Sequence, residues 1–325
     1  MKKMILLFIM MILLPCGIVL VASLLFEEVT IGDGCNSLKK NNMGKSILIE
    51  IDGLYKRIDV EEYVLGVLPG TISADYDEEA LKTQAVLIRT NVLKEMLEKN
   101  TSDAADLSYE YLTVEDRMVL FGKLHYERKE RCFERAVAKT AGEVIEKEDS
   151  LIMAFYHEVS IGKTASAKDI LGEDISYLQS VESSQDVEAK HYMNIVTYSF
   201  EELKEKLQPD GYLQENAAEQ AEENVKAVNI EIAVTESTED GFVKQLTVDG
   251  KTLTGEEAMR QLCLSSTNFY VEEVDGGVRF VCLGKGNCLG VSLYGANVLA
   301  LQGKNYEEII QYYYKDVSIV KYSPG

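Results

Sequence analysis

The sequence predicts an α+β fold, with mixed helices and antiparallel hairpins, preceded by one transmembrane helix. Three observations carry this prediction. Residues 81–96 repeat apolar side chains at steps of three and four, which is typical of an amphipathic helix. Residues 46–60, 229–255 and 268–283 alternate around Asp-Gly turns, which is typical of hairpins. An uninterrupted apolar run occupies residues 4–26.

The apolar run predicts a membrane anchor. Its length of about 23 residues is enough to cross a bilayer core of about 30 Å as a helix. Lys2 and Lys3 precede it, and this flank predicts a cytoplasmic N-terminus with the main domain outside the cell. A cleaved signal peptide is the alternative, but the run is long for one and no A-x-A-like site follows it. We therefore expect a single-pass anchor over 1–29 and a linker over 30–45.

Composition excludes some classes of function. The formal net charge is −21, so a basic nucleic-acid-binding surface is not expected. The cysteines outside the apolar run lack the paired C-x-x-C spacing of a zinc site. Cys282 and Cys288 are near neighbours in sequence, and either a disulfide or two buried free thiols is consistent with that spacing.

Residues 60–99 read as a short helix, a break and a long helix. Pro69-Gly70 ends the first helix, and Asp75 and Glu78 have the spacing of an N-cap and its partner for the second. One face of the long helix is apolar, at Leu81, Ala85, Ile88, Val92 and Met96. The loop between the helices is anchored at both ends, which makes it a candidate site.

The rest of the soluble part is predicted as one domain over 46–325. Helical insertions are expected at about 97–130 and 200–228. Leu151–Tyr156 is almost wholly apolar and predicts a central strand, and Tyr177–Val181 predicts a short one.

Four segments in order resemble the SpoIID/LytB family of peptidoglycan proteins. The first is Val60–Thr90. The second contains Tyr156-His157 and Ser160–Thr164, which is similar to the family's Ser-Gly-Gly-Lys-Thr loop. The third is Leu264–Phe269, and the fourth is Gly284–Ala296. The order is kept over roughly residues 46–322.

The resemblance implies lytic transglycosylase chemistry on glycan strands. In that reaction one carboxylic acid protonates the glycosidic oxygen and then accepts the proton of the sugar's own 6-hydroxyl, which closes an anhydro ring. The family keeps this Glu in a pattern like Gly-Glu-Met-Pro. Here the aligned residues are Gly70-Thr71-Ile72-Ser73, so Thr71 occupies the acid position.

Two further departures from the family point the same way. Its C-terminal His corresponds to Asn287 or Cys288, and its Gln to Leu293. Of the zinc ligands that some members carry, only His157 is present, so neither metal nor cofactor is expected.

The resemblance also supplies candidate site residues. If another acid replaces the missing Glu, Asp75 and Glu79 are the nearest carboxylates. Arg89 either points into the cleft or lies on a solvated helix face. The loop at Ser160–Thr164 either contacts glycan through exposed backbone N–H groups or is an ordinary loop. The full set of predicted glycan contacts is Arg89, Ser160, Gly162, Lys163, Thr164, Gly286, Ser292 and Tyr294.

The sequence therefore predicts a membrane-anchored protein that acts at the cell wall in peptidoglycan remodelling or sporulation, and binds glycan strands with degenerate transglycosylase activity. One alternative is an active enzyme with a displaced acid. Another is a non-catalytic module that enhances a wall amidase. The expected partners are glycan strands, other sporulation or wall-hydrolase proteins, and the membrane.

Overall fold

The computed structural model describes residues 44–207 and 230–323, and it is an α+β protein. The helices are α1 (Val60–Val67), α2 (Glu78–Glu98), α3 (Val114–Phe121), α4 (Tyr126–Lys139), α5 (Ala167–Ile170), α6 (Phe200–Leu207), α7 (Gly255–Gln261), α8 (Leu293–Leu301) and α9 (Tyr306–Tyr313). The strands are β1 (Ser46–Ile51), β2 (Leu54–Asp59), β3 (Glu143–Lys147), β4 (Ser150–Leu151), β5 (Tyr156–His157), β6 (Met193–Ser199), β7 (Ile232–Ser237), β8 (Val243–Val248), β9 (Lys251–Thr254), β10 (Phe269–Val274), β11 (Gly277–Leu283), β12 (Val291–Ser292) and β13 (Ser318–Lys321).

The strands form small sheets rather than one large one. Their orders in the described residues are β1-β2, β10-β11-β6, β12-β5, β13-β3-β4 and β7-β8-β9. All strand pairs are antiparallel except β5 with β12. The predicted hairpins are confirmed as β1-β2, β7-β8-β9 and β10-β11.

Helix α2 is the centre of the first hydrophobic core. It packs against α1, α4, α8, α9 and β3. The predicted apolar stripe is buried, but so is most of the rest of the helix. Other elements cover α2 on several sides, so residues outside the apolar stripe are buried as well. The stripe alone therefore predicts less burial than the helix has.

The start of α2 differs from the prediction. Asp77, not Asp75, is the N-cap, and its carboxylate accepts a hydrogen bond from the Glu79 N–H at 2.9 Å. Glu78 and Glu79 then lie in the first turn, where the helix dipole favours negative charge. Asp75 lies two residues earlier, in the loop.

The described residues form two hydrophobic cores. The larger belongs to what we call the core lobe, residues 44–192 and 284–323. The smaller is built from α6, α7 and strands β6 to β11, which form the inserted lobe, residues 193–207 and 230–283. Phe242 is the exception, since it leaves the inserted lobe and packs in the larger core. The single domain predicted over 46–325 thus contains two packed units.

Other local predictions were wrong. Within Leu151–Tyr156 only the two ends are strand, and Tyr177–Val181 is irregular. Ile152 and Ala154 are buried without being in a named strand. The Ile152 N–H donates to the Ile145 carbonyl, and Asn91 bonds both backbone groups of Ala154 through its amide atoms. The apolar composition of Leu151–Tyr156 therefore reflects burial of these side chains in the core, and no central strand is needed to explain it.

Some predictions fall on residues that the structure does not describe. These are the anchor at 1–29, most of the linker at 30–45, and the greater part of the helical insertion expected at about 200–228. Within residues 44–207 and 230–323, no helix is both long and apolar enough to cross a bilayer. Cys282 and Cys288 are both free and buried, so the structure agrees with the second of the two readings.

Candidate functional site

The second and fourth resemblance segments lie side by side. Strand β5 pairs with β12, so Tyr156 is opposite Val291 and His157 is opposite Ser292. Beyond the strands, Val159 bridges to Lys285 and Ala165 to Leu289. The loop after β5 and the turn before α8 therefore form one continuous surface of the core lobe.

This surface depends on glycines at close backbone contacts. Gly290 has a φ of +68°, and a Cβ built on it would lie 2.0 Å from the Phe155 carbonyl oxygen. Gly286 has a φ of +102°, and its Cβ would lie 2.8 Å from that of His157. A side chain at either position would push the two segments apart. The Gly-rich pattern of residues 284–290 is thus required by the packing between them.

Thr71 lies in the connection between α1 and α2. It ends the 3₁₀ turn Leu68–Gly70, and its hydroxyl donates to the Leu68 carbonyl at 2.9 Å. The side chain is half-buried, and its one proton is engaged with the backbone. Thr71 therefore caps the turn between the two helices, and its correspondence to the family's acid stays a prediction.

The connection is attached to the surface by two neighbouring residues. The Asp77 N–H donates to the Asn297 side-chain oxygen on α8 at 2.8 Å. The pKa of Tyr76 is raised by burial, and further by the charges of Glu158, Tyr294 and Asp186. Tyr76 thus lies within electrostatic reach of both motif segments. Three of the four resemblance segments meet here.

The two predicted fallback acids have structural partners. Asp75 is exposed and pairs with Arg128 at 3.4 Å and Lys129 at 3.3 Å on α4. Glu79 accepts from Lys82 at 2.5 Å and from the Tyr306 N–H at 2.9 Å. Glu79 thus ties the start of α2 to the start of α9. Their proposed catalytic roles stay predictions.

Two other carboxylates lie at the loop after β5, one partly exposed and one buried beneath it, and sequence reasoning missed both. Glu158 directly follows His157, and its side chain is 40% exposed in an ion pair with Lys285 at 2.6 Å. Asp186 is fully buried and accepts from the Ser160 N–H at 2.7 Å and the Ser183 hydroxyl at 3.0 Å. The sequence could have indicated Glu158, because it lies within the second resemblance segment, between His157 and Ser160. Nothing in the sequence marked Asp186.

Arg89 is not part of the surface. It is completely buried on α2, and its guanidinium donates twice to Glu61, at 2.9 and 2.7 Å. A third bond reaches the Glu143 carbonyl at 3.1 Å. The predicted glycan contact and the alternative of a solvated helix face are both wrong, because the residue serves a buried ion pair of the core.

The remaining predicted contacts divide by burial. Ser160, Thr164 and Ser292 are buried, and their hydroxyls accept from the N–H groups of Gly162, Val181 and Gly295. They shape the loops and are not available to a ligand. Partly exposed are Gly162, Lys163, Gly286 and Tyr294, for which glycan contact stays a prediction.

Lys163 has a partner in the inserted lobe. Its ammonium pairs with Asp240, and that hydrogen bond raises the pKa of Lys163. The side chain is 39% exposed. The loop that resembles the family's Ser-Gly-Gly-Lys-Thr is therefore held between the two lobes.

His157 and Cys288 do not fit a structural zinc. The Nδ1 of His157 lies 2.9 Å from the Leu289 carbonyl, and its buried Nε2 has no hydrogen-bond partner. Burial raises the pKa of the Cys288 thiol to about 12, so it stays protonated. The described residues contain no group of three His, Cys, Asp or Glu side chains placed to hold a metal ion. His157 is a packed core residue here.

Comparisons with known proteins find sequence relatives of this chain. The family model for stage II sporulation protein (SpoIID) matches residues 52–146, which span β2 to β3. Stage II sporulation protein D of Bacillus subtilis (strain 168) is 27% identical over 294 residues, covering 88% of this chain and 81% of that protein. The protein of the same name from Bacillus amyloliquefaciens is 28% identical over 272 residues, covering 81% and 75%. An uncharacterized protein of Brachyspira hyodysenteriae is 28% identical over 270 residues, covering 82% and 68%. The chain is thus similar to the SpoIID family, over residues 52–146 for the family model and over more than four fifths of its length for the two Bacillus proteins.

Proposed function

We propose that this protein is anchored in the cell membrane, faces the cell wall and binds peptidoglycan glycan strands, with the transglycosylase activity implied by its family lost or strongly impaired. The observation that carries the proposal is Thr71. Its hydroxyl donates to the Leu68 carbonyl, and a hydroxyl cannot supply a proton at neutral pH as a carboxylic acid can. Binding and wall remodelling during sporulation do not require that proton.

The partly exposed surface supports glycan binding. Tyr294 and Tyr76 offer aromatic faces, and Glu158, Lys285 and Asn287 offer hydrogen-bonding groups beside a glycine-rich turn. A sugar site commonly combines an apolar face with a few placed polar groups.

The experiment combines a binding assay with a cleavage assay. The full-length protein in detergent is incubated with insoluble peptidoglycan, the bound fraction is measured, and the soluble products are analysed for anhydro-muropeptides by mass spectrometry. We expect binding without anhydro products. A robust release of anhydro products by the wild-type protein would contradict the proposal.

Thr71→Glu is the gain-of-function arm. If the rest of the groove is intact, restoring a carboxylate at this position should raise anhydro product formation by at least about tenfold, a small part of what acid–base catalysis supplies. Thr71→Gln is the matched control, since it has the same size without an ionisable group.

A second candidate function is an active transglycosylase that uses Glu158. The supporting observation is that this carboxylate is partly exposed where three family segments meet. In this structure the Lys285 ammonium pairs with that carboxylate at 2.6 Å, so a glycan oxygen has to displace Lys285 to reach it. Activity abolished in Glu158→Gln, but kept in Asp75→Ala and Glu79→Ala, would support this candidate over the first.

The same assay covers the amidase-enhancer alternative. That role requires contact with another protein and no contact with bare glycan. A wild-type protein that fails to bind insoluble peptidoglycan would therefore exclude both glycan-based proposals.

A further inference from the structure

The α3–α4 hairpin ends in an exposed apolar tip, residues 119–125. Val119 is 85% exposed, Leu120 54% and Leu124 95%. Five of the fifteen large apolar side chains that are exposed in the described residues fall between positions 114 and 124. Such clustering differs from the single, scattered apolar residues that are normal on a protein surface.

Helix α3 turns a charged residue inward and apolar residues outward. Its inward face carries Arg117, which is buried and bonds Glu130 on α4 at 2.8 Å. One turn later, Phe121 stacks on Phe133 with ring centres 5.8 Å apart. These two contacts fix the helix so that Met118 and Val119 face outward. A helix that faces water normally does the opposite.

The tip lies in the most basic part of the molecule. Residues 117–139 contain seven Lys or Arg and three Asp or Glu, in a chain with 33 and 54 respectively. Within the tip, Lys123 is exposed and makes no ion pair with any described residue. The nearest acidic side chain along the chain, Glu127, pairs with Arg131 at 3.8 Å. Apolar side chains beside an unpaired cation suit an anionic lipid surface.

The chain before the described residues brings such a surface within reach. The apolar run of residues 4–26 is separated from Gly44 by residues 27–43. Even fully extended, that stretch spans at most about 60 Å. An anchored domain would thus stay within about its own diameter of the bilayer.

We propose that the α3–α4 tip inserts Leu120 and Leu124 into the headgroup region of an anionic lipid bilayer, as a second membrane contact of this protein. The proposal rests on the membrane anchoring proposed above. The tip contact would fix which face of the core lobe is turned toward the membrane, which the N-terminal anchor alone does not do.

The chain contains no tryptophan, so one substitution provides a site-specific probe. Full-length Leu124→Trp is reconstituted with phosphatidylglycerol-containing vesicles, and flotation confirms attachment. Insertion should shift the Trp emission to shorter wavelength, and brominated acyl chains should quench it at least about twofold more than in the matched Leu301→Trp protein. Leu301 is also exposed, at 70%, but ends α8 outside the tip.

Each other outcome has one meaning. Vesicle flotation with equal quenching at both positions overturns the tip contact and leaves the anchor intact. Failure to float overturns the anchor and the tip contact together. An emission shift of Leu124→Trp without vesicles indicates self-association and overturns the lipid assignment.

Lys123→Glu in the Leu124→Trp background should reduce quenching, and equal quenching in zwitterionic vesicles would overturn the anionic preference.

Discussion

At the residue scale, the most deeply buried ion pair of the described residues joins Arg89 and Glu61. Two guanidinium nitrogens of Arg89 bond both carboxylate oxygens of Glu61. The Gly142 N–H adds a bond to the carboxylate at 2.8 Å. Each charge is therefore compensated, which is the condition for burying a pair.

Replacing Arg89 by Lys should destabilise the protein by about 3 kcal/mol, because the buried carboxylate loses its two-point partner. Urea unfolding followed by circular dichroism measures this. Lys304→Ala is the control, since the Lys304–Glu308 pair is 51% and 43% exposed and should contribute less than about 1 kcal/mol. Equal losses in the two variants would contradict the role given to Arg89.

His157 gives a prediction for pH. Burial lowers its pKa from 6.5 to about 4, although Asp186 opposes the shift. Between these values the unfolded chain binds more protons than the folded one. The contribution to stability is therefore present above pH 6.5 and is lost as the pH falls from 6.5 to 4, by up to about 3 kcal/mol.

The comparison of wild type with His157→Gln isolates this contribution from that of the carboxylates. We expect the free energy of unfolding of the wild type to fall more steeply below pH 6.5 than that of the variant. Urea titrations between pH 4 and pH 8 provide the two curves. Parallel curves would show that the pKa of His157 is the same in the folded and unfolded protein, and would contradict the prediction.

At the element scale, the sequence predicted the kinds of element better than their surroundings. The apolar stripe of α2 located the helix correctly, yet could not show that five elements surround it. Arg89 was misplaced for this reason. A charge off the apolar stripe predicts solvent, unless a partner such as Glu61 comes from another element, and no local pattern reveals that partner.

The turn before α8 can be tested with glycine substitutions. Gly290→Ala should cost about 3 kcal/mol or more, because the added Cβ meets the Phe155 carbonyl at a φ of +68°. Gly303→Ala is the matched control. It also has a positive φ, of +92°, but nothing lies within 4 Å, so about 1 kcal/mol is expected. Thermal unfolding distinguishes the two, and a milder effect at Gly290 would contradict the close packing of the two segments.

At the scale of the whole molecule, the candidate site was predictable only in part. The resemblance placed segments 156–164 and 284–296 in one site, and the structure brings them together. The buried hydroxyls of Ser160, Thr164 and Ser292 were misread, because a motif does not show which side of a loop faces inward. The positions of Glu158 and Asp186 in the site depend on partners distant in sequence, Lys285 for the first and Ser160 for the second.

Charge acts on the whole molecule as well. The formal net charge of −21 implies self-repulsion in the folded state. Raising NaCl from about 0.02 to 0.3 M should therefore raise the unfolding midpoint by a few degrees. The same comparison near pH 4.6, the isoelectric point of the sequence, is the control and should show little change. A midpoint insensitive to salt at neutral pH would mean that local ion pairs offset the repulsion.

The two ends of the inserted lobe meet. The chain leaves the core lobe at Tyr192 and returns at Gly284, whose N–H donates to the Tyr192 carbonyl at 2.7 Å. A segment with adjoining ends can be lengthened, shortened or exchanged during evolution without rerouting the host chain. Relatives of this protein should therefore differ most in length between these two positions. The partners that distinguish one relative from another would then be sought first on that replaceable module.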